Sequence, residues 1–382
     1  MHSIVALHPQ PGFNHVGFDE ALYRQYVNNL INHGITVYPE LVEDYVARQS
    51  ELPTAILPPV RFLYIFAGYV WHSLFGCEAL QALKAVSALF SVFTLALAAV
   101  FAWRLRGPTW SVAIAALMAT APTQIHMSQH ALIDGFFAFW ALLTLWMLWE
   151  NLQAPHNWRW LAGYTVSLAL LVLTKENSLF VWIAIVALLI ANRWMQFGTV
   201  TRELLVATVL GPFLGVVVLI LLAGGIDVLF ATYRLLIDKA YQLPYAIHTG
   251  DGPWYRYLVD LLLVSPIILI LALGAIFRLN RTMKPELFMS IFVAASYLFM
   301  CNLKYGMNLR YATIWDMPLR FLAFSSLTII LAPLRRWQGV ALALIVAVIC
   351  ATELRQYHVL FVKFGLYELV TEGLLRALQI LK

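Results

Sequence analysis

Long runs of uncharged, mostly apolar residues recur along the chain, and short polar connections separate them. Several of these runs approach the roughly 20 residues that a membrane-spanning helix needs. None of them shows the alternation of polar and apolar residues that is typical of a membrane β-barrel strand. The pattern therefore predicts an all-α, polytopic membrane protein. The ten predicted spans are 79–103, 109–126, 131–149, 159–174, 177–193, 203–224, 254–278, 285–302, 311–333 and 337–353.

The first 78 residues differ from the rest because acidic residues are frequent there and no long uncharged run occurs. Apolar residues spaced by three to five positions predict a helix from Asp19 to Gly34. A second helix is predicted over 39–50, and a third over 59–75, beginning at a double proline. The third helix either crosses the bilayer or lies along its surface.

The positions of Lys and Arg predict the orientation of the chain. If the third helix lies flat, one set of alternate connections carries ten basic residues and the other set six. The positive-inside bias places the richer set in the cytoplasm. We therefore predict a multi-pass protein of the plasma (inner) membrane, with an outward or periplasmic site. Its parts are an outward segment with juxtamembrane helices (1–78), a membrane domain (79–353) and an outward amphipathic tail helix (354–382).

Composition supports a membrane protein and excludes other classes. Hydrophobic residues make up 62% of the chain and charged residues 12%, too few polar groups to cover a water-soluble globule. The net charge of +5 is spread over short connections, so it indicates topology and no nucleic-acid partner. Three cysteines without a CxxC spacing predict neither a disulfide framework nor a zinc site.

Polar residues converge on the predicted outward side, in five groups: Asp19 and Glu20; Gln129, His130 and Asp134; Lys175 and Glu176; residues 248–256; and residues 304–311. Charged groups at membrane depth are costly, so we expect Asp134, Lys175 and Arg320 to face protein or a wet cavity. A structural ion pair explains any one of them. Five groups on one face favour a functional site.

The order of several short motifs resembles the dolichyl-phosphate-mannose:protein mannosyltransferase family, glycosyltransferase family 39. The motifs are Gly17–Tyr23, Leu57–Pro59 with Phe75–Gly76, Ser128–Asp134, Thr174–Lys175, Gly252–Tyr255 and Arg310–Tyr311. The resemblance covers about residues 17–335 and implies a GT-C fold. It also implies transfer of a hexose, mannose-like, from a polyprenyl-phosphate donor with inversion. The acceptor is a hydroxyl of a protein, lipid or glycan.

The acidic pair Asp19 and Glu20 supplies the catalytic candidates. An inverting transfer needs one carboxylate that takes the proton of the attacking hydroxyl, and the resemblance gives that role to Asp19. The alternative for Asp19 is a simple helix N-cap. Glu20 orients the acceptor or merely favours the helix dipole.

The leaving lipid phosphate needs cations that stabilise its developing charge. Arg310 occupies the Arg-Tyr motif of the family, and Lys175 and Arg256 lie at the same predicted membrane boundary. The alternative for Arg310 and Arg256 is interfacial snorkelling. Asp134 matches the second acidic position of the family. The other candidates on the donor side are Tyr311, Gln129, His130, Arg61 and Lys304.

Two departures from the family leave the donor sugar open. Gln129 stands where the family has an arginine, and Leu57 precedes the double proline. His126, His130 and Asp134 follow one another at four-residue spacing, which suits either a metal or, more commonly, a hydrogen-bond network. The sequence therefore implies no particular cofactor, and a divalent metal stays an alternative without further support. The predicted partners are the lipid-linked sugar donor, membrane lipids and the hydroxyl acceptor.

Two other hypotheses fit the same pattern less well. A transporter or flippase of a lipid-linked or anionic substrate also has many spans and buried charges, but the sequence shows no two-fold repeat of broken helices. A catalytically dead scaffold is disfavoured by the presence of both Asp19 and Asp134. Since residues 1–18 contain no span or signal peptide, we also expect a preceding apolar helix to be missing from this sequence.

Overall fold

The computed structural model describes residues 17–53, 55–240, 252–302 and 307–381, and these residues form helices and turns without a strand. The predicted all-α fold is therefore confirmed. The helices are α1 (Phe18–His33), α2 (Tyr38–Glu51), α3 (Phe62–Phe75), α4 (Ala79–Arg106), α5 (Pro108–Ala119), α6 (Pro122–Gln129), α7 (Ile133–Gln153), α8 (Trp158–Thr174), α9 (Ser178–Met195), α10 (Arg202–Leu222), α11 (Ile226–Ala240), α12 (Arg256–Val264), α13 (Pro266–Ile276), α14 (Lys284–Met300), α15 (Asp316–Ile330), α16 (Gln338–Tyr357) and α17 (Thr371–Ala377). Short 3₁₀-helices lie at Ile35–Val37, Leu309–Trp315 and Ala332–Trp337, and a π-helix lies at His358–Lys363.

The three helices predicted before the first long apolar helix are present, with one shifted start. Helix α3 begins at Phe62 and not at Pro59, because the Tyr38 hydroxyl donates to the Pro59 carbonyl and holds residues 59–60 in a turn. It ends at Gly76, whose φ of +65° is the left-handed conformation that glycine adopts without strain.

Several helices are long and apolar enough to cross a membrane. Among the described residues these are the five helical segments Ala79–Arg106, Ile133–Gln153, Ser178–Met195, Arg202–Leu222 and Ala332–Lys363. Four shorter apolar helices accompany them: Phe62–Phe75, Pro108–Ala119, Trp158–Thr174 and Pro266–Ile276. The chain is therefore a multi-pass membrane protein. The number of ten spans and the orientation stay predictions.

Two predicted single spans are each broken at a proline. The span predicted over 109–126 divides into α5 and α6 at Pro122, and the span predicted over 254–278 divides into α12 and α13 at Pro266. Proline has no N–H and its ring clashes with the preceding turn, so each helix ends before it. A third predicted span, 311–333, begins as a 3₁₀-helix and becomes α-helical at Asp316.

A buried ionic network satisfies the polar groups that these breaks leave. Arg320 of α15 donates to the Leu117 carbonyl at the end of α5 (3.0 Å), and pairs with Asp316 (3.0 Å) and Glu353 (2.7 Å). Glu353 also accepts from the Ser265 hydroxyl beside the second break (2.9 Å). The predicted inward orientation of Arg320 is confirmed. Its side chain joins α5, α15 and α16.

The C-terminal tail does not form the single amphipathic helix predicted over 354–382. Helix α16 continues to Tyr357 and is followed by the π-helix, an irregular segment at 364–370 and the short helix α17. The apolar residues Leu360, Leu369 and Leu374 are fully buried against the membrane domain. Burial of these side chains therefore shapes the tail, which folds onto the rest of the protein.

Candidate active site

Four segments that are distant in sequence meet at one end of the bundle. Asp19 comes from the first turn of α1, Asp134 from the first turn of α7, Lys175 from the turn after α8, and Arg310 from the 3₁₀-helix before α15. Each side chain lies at a helix end, where the backbone leaves the apolar bundle. The structure thus brings together the principal acidic and basic residues expected from the sequence.

Arg310 is the centre of the cluster. Its guanidinium lies 2.7 Å from an Asp19 carboxylate oxygen, 3.5 Å from Asp134 and 3.7 Å from Glu368. The side chain is only 5% exposed, and within the described part of the chain its Nε and Nη1 atoms make no hydrogen bond. Nε faces Asp134 and Nη1 faces Glu368, so the guanidinium is surrounded by carboxylates.

Lys175 adds a second cation to the same cluster. Its ammonium lies 2.6 Å from Asp134 and 4.3 Å from the centre of the Tyr311 ring, which Arg310 also faces. Burial lowers the pKa of Lys175, and the Asp134 carboxylate opposes that change. Three carboxylates therefore surround two cations, so a further anion has to displace at least one carboxylate from its partner.

Asp19 is not the N-cap of its helix, contrary to the simplest alternative. Gly17 is the N-cap residue, and Asp19 lies in the first turn, with its carboxylate directed to Arg310. The side chain is 16% exposed, so one part of the carboxylate contacts the cation while another part remains accessible. This arrangement leaves room for a bound hydroxyl to reach the Asp19 carboxylate.

Glu20 is fully buried and contacts backbone groups. Its carboxylate accepts hydrogen bonds from the backbone N–H of Ala131 (2.6 Å) and of Gly17 (3.0 Å), and lies 3.4 Å from His130 Nδ1. Burial raises the pKa of Glu20, but these contacts together lower it below its ordinary value. Glu20 thereby fastens the start of α1 to the turn between α6 and α7.

Arg61 forms a second ion pair beside the main cluster. Its guanidinium pairs with both carboxylate oxygens of Glu176, one of them at 3.1 Å, and donates to the Tyr23 hydroxyl at 2.6 Å. Arg61 lowers the pKa of Glu176 against the opposing effect of burial. Because Glu176 follows Lys175 directly, this pair fixes the turn that carries the lysine.

Two of the expected site residues, Arg256 and Gln129, contact other groups. Arg256 lies 4.0 Å from Asp260 and donates to Thr371 at 3.1 Å. Gln129 accepts a hydrogen bond from the Tyr357 hydroxyl at 2.8 Å. Lys304 lies outside the described residues.

The tail supplies site residues that the sequence did not predict. Glu368 lies beside Arg310 and accepts a hydrogen bond from the Asn308 side chain, and Tyr367 lies edge-on to His130. No periodicity distinguishes Glu368 from the exposed charges around it. The predicted outward tail lies on the same side as the predicted site, but nothing in the sequence indicated that its residues contact Arg310 or His130.

The four-residue stripe of His126, His130 and Asp134 does not converge on one point. His126 stacks on Phe361, His130 faces Glu20, and Asp134 faces Lys175. Among the residues that the structure describes, no group of three His, Cys, Asp or Glu side chains is placed to hold a metal ion.

An all-helical membrane protein with this cluster at the helix ends belongs to the class of membrane glycosyltransferases with a GT-C fold. The model of the family "dolichyl-phosphate-mannose-protein mannosyltransferase" matches residues 12–237, more than half of the chain. The chain is therefore a member of that family, as the short motifs predicted. The comparison with curated proteins gives no match.

Solved structures share the fold at low sequence identity. ArnT from Cupriavidus metallidurans, bound to undecaprenyl phosphate, has a TM-score of 0.55 and 15% identity, over 99% of this chain and 74% of that one. The oligosaccharyltransferase of Archaeoglobus fulgidus, in a complex with Zn and sulfate, has a TM-score of 0.57 and 15% identity, over 84% of this chain. The match spans about half of that longer protein, 48%.

We expect the Lys175–Asp134 pair to contribute strongly to stability. Lys175→Met leaves a buried carboxylate with a weaker partner, and loss of one member of a buried pair typically costs about 3–5 kcal/mol. Adding Asp134→Asn should recover part of that loss, as measured by thermal unfolding of the purified protein. Arg234→Met is the control, because Arg234 and its partner Asp238 are both exposed and their pair should contribute about 1 kcal/mol or less. Strictly additive effects of the two site substitutions would contradict the pairing.

Proposed function

We propose that the protein is an inverting glycosyltransferase that transfers a hexose, mannose-like, from a polyprenyl-phosphate donor to a hydroxyl acceptor. The site faces the periplasm or outside. The acceptor belongs to a protein, a lipid or a glycan. The observation that carries the proposal is the 2.7 Å contact between Asp19 and Arg310, because it places a proton acceptor beside a phosphate-binding cation.

In this proposal Asp19 takes the proton of the acceptor hydroxyl while that oxygen attacks the anomeric carbon. The bond from the anomeric carbon to the phosphate oxygen breaks, and the lipid phosphate leaves with the electron pair. Attack opposite the leaving group inverts the anomeric centre. The sugar then lies between Asp19 and the phosphate, so donor binding separates Asp19 from Arg310.

Arg310 and Lys175 stabilise the charge on the leaving phosphate. Donor binding frees the Arg310 Nη2 donor from Asp19, so that it can bond a phosphate oxygen, and Lys175 adds a positive charge on the side of Tyr311. Asp134 holds both cations in place, and Glu20 positions α1 through the backbone of Ala131. ArnT, which shares the fold, binds undecaprenyl phosphate, which supports a lipid phosphate as the leaving group here.

A comparison of cells with and without this gene tests the proposal. Membrane glycans, glycolipids and glycoproteins are extracted and their masses compared, and plasmid-borne wild-type gene is returned to the deletion strain. We expect one hexose to be missing from one class of molecule and restored by the plasmid. Unchanged masses in all three fractions would argue against the transferase.

A further inference from the structure

Residues 364–370 of the tail form an irregular segment that crosses the proposed site, and we call this segment the strap. It leaves the π-helix after α16 and ends at α17. Four contacts anchor the strap and its end: His126 Nε2 with the Tyr367 carbonyl (3.0 Å), Leu309 N–H with the Leu369 carbonyl (3.0 Å), the Asn308 side chain with Glu368, and the Thr371 hydroxyl with Asp260 (2.6 Å). The strap is thus held between the α6–α7 region and the 3₁₀-helix that carries Arg310.

The Tyr367 side chain points from the strap to the start of α1. Its hydroxyl comes so close to Gly17 that a Cβ atom at that position would overlap it. Its ring lies edge-on to His130, with the ring centres 5.1 Å apart. The hydroxyl therefore lies beside the N-terminal turn that holds Asp19 and Glu20.

The Tyr367 hydroxyl is buried and has no hydrogen-bond partner among the described residues. A buried hydroxyl without a partner costs about 1–3 kcal/mol, so its retention needs an explanation. Burial raises the pKa of Tyr367 above its ordinary value, and the carboxylates Glu20 and Asp19 raise it further. The group is consequently protonated at neutral pH and offers one hydrogen bond.

We propose that Tyr367 is a substrate-contacting residue whose hydroxyl binds the sugar acceptor next to Asp19. The strap thereby completes the acceptor subsite. This inference rests on the proposed transferase function, since it supplies an acceptor-binding group for the base. The acceptor brings the hydrogen-bond partner that the protein does not supply.

The position of Tyr367 favours the acceptor over the donor phosphate. Its hydroxyl adjoins Gly17, two residues before the proposed base. The cations proposed to bind phosphate are Arg310 and Lys175, whereas the Tyr367 hydroxyl adjoins the backbone of Gly17. A neutral hydroxyl on the side of Asp19 suits a neutral hydroxyl acceptor.

The substitution Tyr367→Phe separates this proposal from a structural role. Removal of an unpartnered buried hydroxyl should leave the unfolding temperature unchanged or raise it. Product formation should nevertheless fall at least about tenfold, as a lost hydrogen bond of about 1.4 kcal/mol predicts. The control is Tyr164→Phe, because the Tyr164 hydroxyl is bonded to Thr208 (3.0 Å) away from the site. That control should lose stability and keep activity.

Each variant is expressed in the deletion strain, and the restored sugar-bearing product is quantified over time. The purified variants are then unfolded thermally and tested for binding of undecaprenyl phosphate. Reduced product with normal folding and normal binding supports the proposal. Full product formation, a lower unfolding temperature or weakened binding of undecaprenyl phosphate by Tyr367→Phe would each overturn it. Failure of the wild-type gene to restore any product would instead reject the transferase itself.

Discussion

Asp19→Asn should reduce sugar transfer at least about a hundredfold, the lower end of what a positioned general base contributes. Asparagine has nearly the same shape and still accepts a hydrogen bond from Arg310, so the cluster keeps its geometry. It cannot take a proton from the acceptor hydroxyl. Sugar transfer by the purified variant is measured, and its unfolding temperature serves as a check on folding.

Asp44→Asn is the matched control for this substitution. Asp44 is an exposed carboxylate on the neighbouring helix α2, outside the cluster around Arg310. It loses the same charge from the same part of the chain, and its turnover should equal that of the wild type. Near-normal turnover by Asp19→Asn would remove Asp19 from the role of base.

The positions of glycines in the sequence were sufficient to predict where the helices near the N-terminus end. Helix α1 ends at Gly34 and α3 ends at Gly76, as predicted, because both glycines adopt a positive φ. The breaks at Pro122 and Pro266 lie within continuous apolar runs, so hydropathy alone does not reveal them. They are tolerated because Arg320 and Gln356, which are distant in sequence, satisfy the carbonyls that the breaks release.

The site was predictable to the extent that each residue lies at a helix end. Charges that interrupt apolar runs marked the starts of α1 and α7, the end of α8 and the segment before α15. The sequence therefore predicted that Asp19, Asp134, Lys175 and Arg310 lie in one region. The contacts of Tyr367 and Glu368 depend on how the irregular strap crosses that region. An irregular segment with mixed polarity has no periodicity that predicts its neighbours.

The same reasoning explains the position of Arg256. The sequence places it at the membrane boundary expected for phosphate binding, but boundary position gives depth and not the direction of a side chain. In the structure the arginine is directed to Asp260, one helical turn further along α12, and to Thr371 at the end of the strap. A pair four residues apart on one helix forms readily without any site.

Arg310→Ala should weaken use of the lipid-phosphate donor roughly tenfold to a hundredfold, because hydrogen bonds to charged groups contribute about 1.5–3 kcal/mol. Dependence on the acceptor should change less, since Arg310 is proposed to contact the phosphate. Titration of the donor at fixed acceptor and titration of the acceptor at fixed donor measure the two effects separately, and binding of undecaprenyl phosphate checks the first. Arg104→Ala is the control for loss of an ion pair, because Arg104 pairs with Glu150 at the opposite end of α4 from the predicted site face.

The alanine variant also leaves Asp19, Asp134 and Glu368 without their shared cation, so part of its loss can come from the fold. Arg310→Lys distinguishes the two causes. Lysine keeps the positive charge among the carboxylates but lacks the planar fork that bonds two oxygens. We expect Arg310→Lys to unfold close to the wild-type temperature and still to require more donor for half-maximal rate. If its donor dependence and that of a folded Arg310→Ala variant both equal the wild type, Arg310 serves to anchor the cluster and the phosphate binds elsewhere.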